Sequence, residues 1–303
     1  MNTLKNATGK IDYTLMNDCM FHSVMTKNVT VLKGLVCALL HLKPDRVQSI
    51  EVLNPYEPGE DILDKNFILD VKISLNNKTV VNIELQVQPQ KYWNNRSLTY
   101  LCRLFDNLKK GASYSDVMPA YHIGILDFTL FPKHPEFYAT YKMKNVRKHY
   151  IYNSKFTLNV LNLKQIKLAT NGDKLWKLDF WARLFKATTW EELKMLAQQD
   201  NVFQETCETV FRLNQDKKVR YWCQAREEAE RIARTTKQDY EKRLAKKDNA
   251  LAKKDKALAE KDNALIEKDK ALAEKDNALA EKDKALAEKD AQLALLRAQL
   301  NQE

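Results

Sequence analysis

A chain of 303 residues holds one substantial domain plus an appendage, and its seven Pro and six Gly are too scattered to form a flexible linker. Five cysteines (Cys19, Cys37, Cys102, Cys207, Cys223) are an odd number without C-x-x-C spacing; this argues against a disulfide framework or zinc site and leads us to expect a reducing, cytoplasmic setting. The formal charge of +10 is unevenly placed, because 15 basic residues meet 15 acidic ones from Gln238 onward and the whole excess sits on residues 1–237. That excess suits a polyanionic partner, and equally a generally basic proteome.

The N-terminal MNTLKNATGK has no apolar signal core. Ile11, Leu15, Val24 and Met25 surround a helix entry expected at Asn17/Asp18, with Asp18 placed to act as the N-cap. Val29–Leu42 contains Lys33 and His41 and is too short to span a bilayer, so no membrane segment is expected. It reads as a buried helix stopped by Pro44. Val47–Leu53 is a candidate first strand. Asn54–Asp64, with Pro55, Pro58 and Gly59 among Glu57, Glu60, Asp61 and Asp64, reads as an acidic solvated loop more than a direct participant in chemistry.

Phe67–Gln88 is the most informative segment. Val71, Ile73 and Leu75 alternate with Asp70, Lys72 and Ser74; Val81, Ile83, Leu85 and Val87 alternate with Asn82, Glu84, Gln86 and Gln88. Alternation on both sides of Asn76-Asn77-Lys78 predicts two antiparallel strands with one buried face. If the triplet is a hairpin loop with an Asn in the left-handed conformation, Leu75 pairs with Thr79. Asp70 then stands opposite Glu84 on the polar face, β-carbons about 5 Å apart. Two carboxylates so placed repel unless a cation lies between them, and Mg²⁺ is the hard cation such a pair suits. The plain alternative is a half-wet hairpin whose outer face happens to be charged.

Trp93–Gly111 reads as a helix capped by Gly111. Arg96, Tyr100 and Arg103 fall at i, i+4 and i+7, either as a phosphate-gripping face or as an ordinary wet one. Tyr121–Phe131 has the length and apolarity of a central strand, and Tyr150–Leu163 reads as one or two more. From Trp176 the chain turns helical, and Thr189-Trp190-Glu191-Glu192 matches a capping box. The five histidines His22, His41, His122, His134 and His149 have no ligand spacing and read as ordinary core or surface residues.

Leucine recurs every seventh residue from Leu244 to Leu300 within a near-repeat of LAEKDNALAEKDKA, so the tail should be helical over about 85 Å. A coiled-coil seam needs two apolar positions per heptad, whereas the residue three before each leucine is mostly Asp and the one four before it mostly Lys. A weakly self-associating coiled coil and a solitary, partly frayed helix both remain open.

Asp70, thirteen intervening residues, then Glu84-Leu85-Gln86 resembles the D…ExQ core of the Rpn-type recombination-promoting nucleases, the PD-(D/E)XK family transposases. Asn17-Asp18-Cys19-Met20-Phe21, Arg96…Tyr100, Gly111-Ala112-Ser113-Tyr114, Pro119–Leu126, Phe156–Ile166 and Trp176–Trp181 follow in the expected order, over roughly residues 10 to 200. The resemblance implies a restriction-endonuclease-like α/β fold, a mixed sheet flanked by helices, here followed by a long C-terminal helix or coiled coil. Together with the heptad reading of the tail, this leads us to expect a nuclease-like domain at 1–200, connecting helices at 201–237 and a heptad-repeat helical tail at 238–303.

The implied activity is Mg²⁺-dependent DNA cleavage linked to recombination or transposition. Asp70, Glu84 and the Leu85 carbonyl would hold the metal, and Gln86 would orient water where the wider superfamily has lysine. Asp18 would serve as an accessory acid, beside its reading as a cap. Arg96, Tyr100 and Arg103 would position the DNA. The chain departs from the family in following Phe21 with His22 and in lacking an Asp-Gly turn. Glutamine at the lysine position carries no charge and moves no proton, so Lys72, on the strand face of Asp70, is a candidate to supply it. Two rival readings are a catalytically silent DNA-binding or recombination-accessory protein and a scaffold built on the tail, which would also be the route to a homo-oligomer.

Overall fold

A computed structural model of the protein describes residues 3–53 and 70–300, with side chains as far as Ala294. The acidic loop expected at Asn54–Asp64 lies outside the described residues.

Locally encoded elements form where caps and alternation direct them. Helix α1 (Asp18–Lys27) begins one residue after Asn17, whose side chain accepts hydrogen bonds from the backbone N–H groups of Cys19 and Met20, both at 3.1 Å. The cap is therefore Asn17, not Asp18: Asn17 has the extended backbone a cap requires, while Asp18 is already in the first helical turn. Asn28 caps α2 (Val29–Leu40) in the same way. That helix ends at Leu40, since His41 turns left-handed (φ 54°) ahead of Pro44.

Strand β1 (Ile50–Val52) is followed by the hairpin of β2 (Val71–Leu75) and β3 (Thr79–Gln86), with Leu75 opposite Thr79 and both Asn76 and Asn77 left-handed. Helix α3 (Trp93–Phe105) crosses to β4 (Ala120–Leu126). It stops six residues short of Gly111, because Asn107 takes over the Leu104 carbonyl and also bonds Met118 through both of that residue's backbone groups. Gly111 instead sits in a separate turn with φ 85°. Strand β4 likewise ends at Leu126, short of Phe131, and of Tyr150–Leu163 only β6 (Phe156–Asn162) is a regular strand. An edge strand, β5 (Tyr138–Lys142), was hidden by its exposed, polar half.

Among the described residues these strands form one mixed sheet in the order β1-β2-β3-β4-β6-β5; β3, β4 and β6 run parallel and the remaining pairs are antiparallel. Helices α4 (Asn171–Leu175), α5 (Leu178–Lys186), α6 (Trp190–Ala197) and α7 (Asn201–Gln215) follow, α6 entered by the Thr189/Glu192 capping box. The main core joins Phe21, Leu35, Trp181, Phe185 and Phe203 of the helices to Val71, Ile73, Ile83, Ile123 and Leu161 of one sheet face. Val219, Trp222 and Cys223, from the start of α8 (Lys217–Leu300), belong to it too.

The other face is not open. Trp93, Leu101 and Leu104 of α3 cover it in two apolar patches, one with Leu126 and Val160, the other with Val80 and Ala120. The polar face of the hairpin is thus buried at Asn82 and Glu84 of β3 and half-buried along β2, because a parallel β3–β4 pair needs a crossover helix and that helix lies over the polar residues.

Two compact units result, Met1–Glu230 and Arg231–Glu303. The second is helical, and its heptad leucines from Leu244 to Leu293 are each about half exposed.

Candidate functional site

Between the two apolar patches lies a strip of polar side chains. In β2–β3, Lys72 is opposite Asn82, and continuing that register one step before Val71 sets Asp70 opposite Glu84. The parallel β3–β4 ladder then sets Asn82 beside His122 and Glu84 beside Gly124. Gly124 is required there: a β-carbon would overlap Cζ2 of Trp93, the first residue of α3. With Trp93 seated, the next two turns of α3 carry Arg96 and Tyr100 over the strip.

The contacts form a chain. Asn82 Nδ2 donates to Asp70 Oδ2 at 3.2 Å and lies 3.2 Å from His122 Nδ1. An amide nitrogen has only donors to offer, so His122 Nδ1 accepts and its proton resides on Nε2. That nitrogen is 3.4 Å from Glu84 Oε2, outside hydrogen-bonding geometry, and both atoms are buried without a hydrogen bond. The other carboxylate oxygen, Oε1, accepts from Arg96 Nε at 3.0 Å. The Arg96 guanidinium lies 5.0 Å from the Tyr100 ring centre, and that ring stands edge-on to His122 at 5.7 Å.

Burial is deep on the sheet side: His122 is 0% and Glu84 2% exposed, whereas the Arg96 side chain is 41% exposed. Loss of water around Asp70, with Glu84 opposite, pushes its carboxyl up to about 6, although the Asn82 amide and nearby His122 and Arg96 hold it down. Burial also raises the Tyr100 hydroxyl above its ordinary value.

The sequence-derived candidates separate into two groups. Asp70, Glu84, Arg96 and Tyr100 come together. Gln86 is on the same face one alternation further on, but its amide donates to the Gln88 carbonyl at 2.9 Å. The Leu85 side chain packs into the main core on the opposite face, so only its backbone faces the strip's neighbourhood. Asp18 is held by Arg226 of α8, whose Nε and Nη2 lie 2.8 and 2.7 Å from one carboxylate oxygen. Arg103 is exposed at the far end of α3.

Asn82 and His122 were overlooked by sequence reasoning. Alternation does put Asn82 on the face of Glu84, and in Ala120–Leu126 His122 is the one imidazole. Neither signal says that the two meet.

The residues fit a hard divalent cation by one direct criterion. Glu84 Oε2 is a buried carboxylate oxygen without a hydrogen bond, its neighbour His122 Nε2 lying 3.4 Å away out of hydrogen-bonding geometry, and it faces a second carboxylate; such an atom suits a cation. No group of three or more His, Cys, Asp or Glu residues is arranged to hold a metal among the described residues, so backbone oxygen, water or substrate would have to complete a shell.

A family model for PD-(D/E)XK nuclease family transposases matches residues 15–240. Among curated proteins and among solved structures nothing matches. The match takes in the mixed sheet, its flanking helices and every residue of the polar strip, and the chain belongs to the PD-(D/E)XK nuclease family transposases.

Proposed function

We propose that this protein is a metal-dependent DNA endonuclease acting in recombination or transposition, with Asp70 and Glu84 as the acids that hold Mg²⁺ or a similar divalent cation. The observation that carries the reading is Glu84 Oε2, buried and without a hydrogen bond, on the strand position facing Asp70. A divalent cation in that place supplies positive charge against a phosphodiester and a water acidic enough to attack it. The remaining work falls to the chain's own groups. Asn82 fixes the Asp70 carboxylate and the His122 tautomer, and the His122 N–H faces Glu84. Tyr100, a neutral phenol whose hydroxyl burial raises further above its ordinary value, offers a hydroxyl donor to a phosphate oxygen. Gln86, its amide now on the Gln88 carbonyl, would orient water if released, the Leu85 carbonyl would help hold the cation, and Lys72 would supply charge on the same strand face. Arg103 and Arg96 hold the DNA backbone. Asp18 serves as a structural anchor for Arg226 in this reading, with no place in the metal shell. An odd count of five cysteines without C-x-x-C spacing supports a reducing, cytoplasmic compartment, and no single described helix is long and apolar enough to cross a membrane.

Nicking of supercoiled plasmid in Mg²⁺ tests this. Wild type is expected to nick, and Asp70→Ala and Glu84→Ala to be inert; equal rates in all three proteins would overturn the assignment. A second reading, a silent DNA-binding accessory, draws on the Arg96–Glu84 pair, in which a guanidinium already gives Glu84 a cation. DNA binding without nicking by the wild type in any divalent cation would favour it.

A further inference from the structure

From Phe137 to Gly172 the chain has no acidic residue and seven basic ones, five of them between Lys142 and Lys155. The middle of this stretch is a built arm. Beyond β5, Lys144 bridges Ile151, Tyr152 N–H donates to the Met143 carbonyl at 2.9 Å, and Asn145 N–H to the Tyr150 carbonyl at 2.9 Å. The Asn145 side chain accepts from Arg147 N–H (3.0 Å) and Lys148 N–H (2.8 Å), and His149 closes the tip in a left-handed conformation, φ 58°. Lys155, at the base, donates to the Ser115 and Val117 carbonyls.

The large side chains of this arm are exposed. Tyr150 is 57% and Tyr152 77% exposed, two residues apart and therefore on one face, with Met143 across from Tyr152. Lys142 and Lys144 take the opposite face, and Arg147 and Lys148 the tip. Large exposed rings on one face, with cations on the opposite face and at the tip that form no ion pair among the described residues, have the chemistry of a nucleic-acid surface in which long lysine and arginine side chains reach round the ribbon to phosphates while the rings take unpaired bases.

The arm's place in the fold agrees. Helix α3 starts over the carboxylate strip and ends at Phe105, whose ring stands edge-on to Phe156 at 5.4 Å. Phe156 is the first residue of β6, directly after the arm. A strand lying along α3 past Arg96, Tyr100 and Arg103 would therefore arrive at the arm's base.

We propose that the β-arm Lys142–Lys155 is a binding site for single-stranded or unpaired nucleic acid, in which Lys142, Lys144, Arg147 and Lys148 hold phosphates and Tyr150 and Tyr152 stack on bases. The choice of DNA as partner rests on the function proposed above; the binding itself does not require cleavage.

The test is fluorescence anisotropy of the full chain with labelled single-stranded and duplex oligonucleotides over a salt series. Wild type should bind the single strand more tightly. The quadruple alanine variant of Lys142, Lys144, Arg147 and Lys148 should bind at least tenfold more weakly and lower the salt slope by about 3, at roughly 0.7 per phosphate contact on a single strand. Tyr150→Ala/Tyr152→Ala should lose about tenfold per ring and leave the salt slope unchanged. Both variants should melt at the wild-type temperature, since the altered side chains are exposed. Wild-type affinity and slope in the quadruple variant would overturn the proposal, as would a wild type that ignores oligonucleotides and binds phosphatidylserine vesicles instead. Asp70→Ala separates the two inferences: lost nicking with intact arm-dependent binding supports both, whereas arm-dependent binding without nicking by any variant sinks the nuclease reading alone.

Discussion

Arg96 Nε lies 3.0 Å from Glu84 Oε1, so a guanidinium that is 41% exposed provides the cation for a carboxylate that is only 2% exposed. This one pair ties α3 to the sheet and occupies half of the carboxylate to which the metal role is assigned. Arg96 therefore faces two demands, Glu84 and phosphate, and meets the first in this state.

Arg96→Met should remove the countercharge while keeping much of the apolar stem. We expect a loss of about 2–3 kcal/mol in urea denaturation, below the full value for a buried pair because water screens the arginine. Mg²⁺ should then raise the melting temperature more than in wild type, since the ion replaces the missing cation. An Mg²⁺-induced shift no larger than wild type would show that Arg96 and the ion do not compete for Glu84.

Asn82→Ala should act through two neighbours at once. It strips a donor from Asp70 and leaves His122 Nδ1 buried without a partner, a cost of about 1–3 kcal/mol. Mg²⁺ affinity by calorimetry should fall about 10- to 100-fold, the usual range for groups that orient metal-binding side chains. Unchanged affinity would confine Asn82 to a folding role.

Asp70 predicts the pH dependence. Its carboxyl is raised from 3.8 to about 6, by burial first and by Glu84 second, so between those values the folded state holds a proton that the unfolded state has lost. Stability from this group is full below about pH 4 and declines as pH rises through about 6, by at most roughly 3 kcal/mol. Asp70→Asn should flatten that segment of the stability curve. Because ligation needs the anion, stabilisation of wild type by Mg²⁺ should grow from pH 5 to pH 7.5. A stabilisation independent of pH over that range would remove Asp70 from the shell.

Gly124→Ala tests the scaffold. The added methyl meets Cζ2 of Trp93, a rigid ring that is fully buried, so Trp93 or β4 must move. A destabilisation of about 1–3 kcal/mol or more is expected, with altered tryptophan fluorescence and weaker Mg²⁺ uptake as α3 lifts from the strip. Normal uptake in a stably folded Gly124→Ala protein would show that the helix does not position the acids.

The tail gives the last prediction. Sedimentation should find the full chain in a concentration-dependent dimer and a chain ending at Lys237 as a monomer, because a leucine every seven residues is half of a coiled-coil seam. A full chain that stays monomeric would leave the helix without an assembling role.

The hairpin, the Thr189/Glu192 capping box and the helical character of the tail were legible in the sequence because the forces that set them are local. Alternation and a three-residue Asn-rich loop fix Leu75 opposite Thr79, and with it Asp70 opposite Glu84. Thr189 and Glu192 cap a helix wherever it lies. Asp18 was misjudged because Asn17 and Asp18 are both good caps and only the backbone conformation distinguishes them. The α3 end was missed because Asn107 gains more from Met118, eleven residues on, than from another helical turn.

The sequence alone determined that two acids would share one face of a β-hairpin, since strand alternation and loop length leave that pair no other place. Only the tertiary structure decided that the face is buried and which groups attend the acids. His122 meets Asn82 across a parallel ladder joining residues 40 apart, and Arg96 arrives on the helix that makes this crossover. A parallel register of that kind is set by how α3 and Trp93 seat on Gly124, a packing fit between distant segments that no local pattern records.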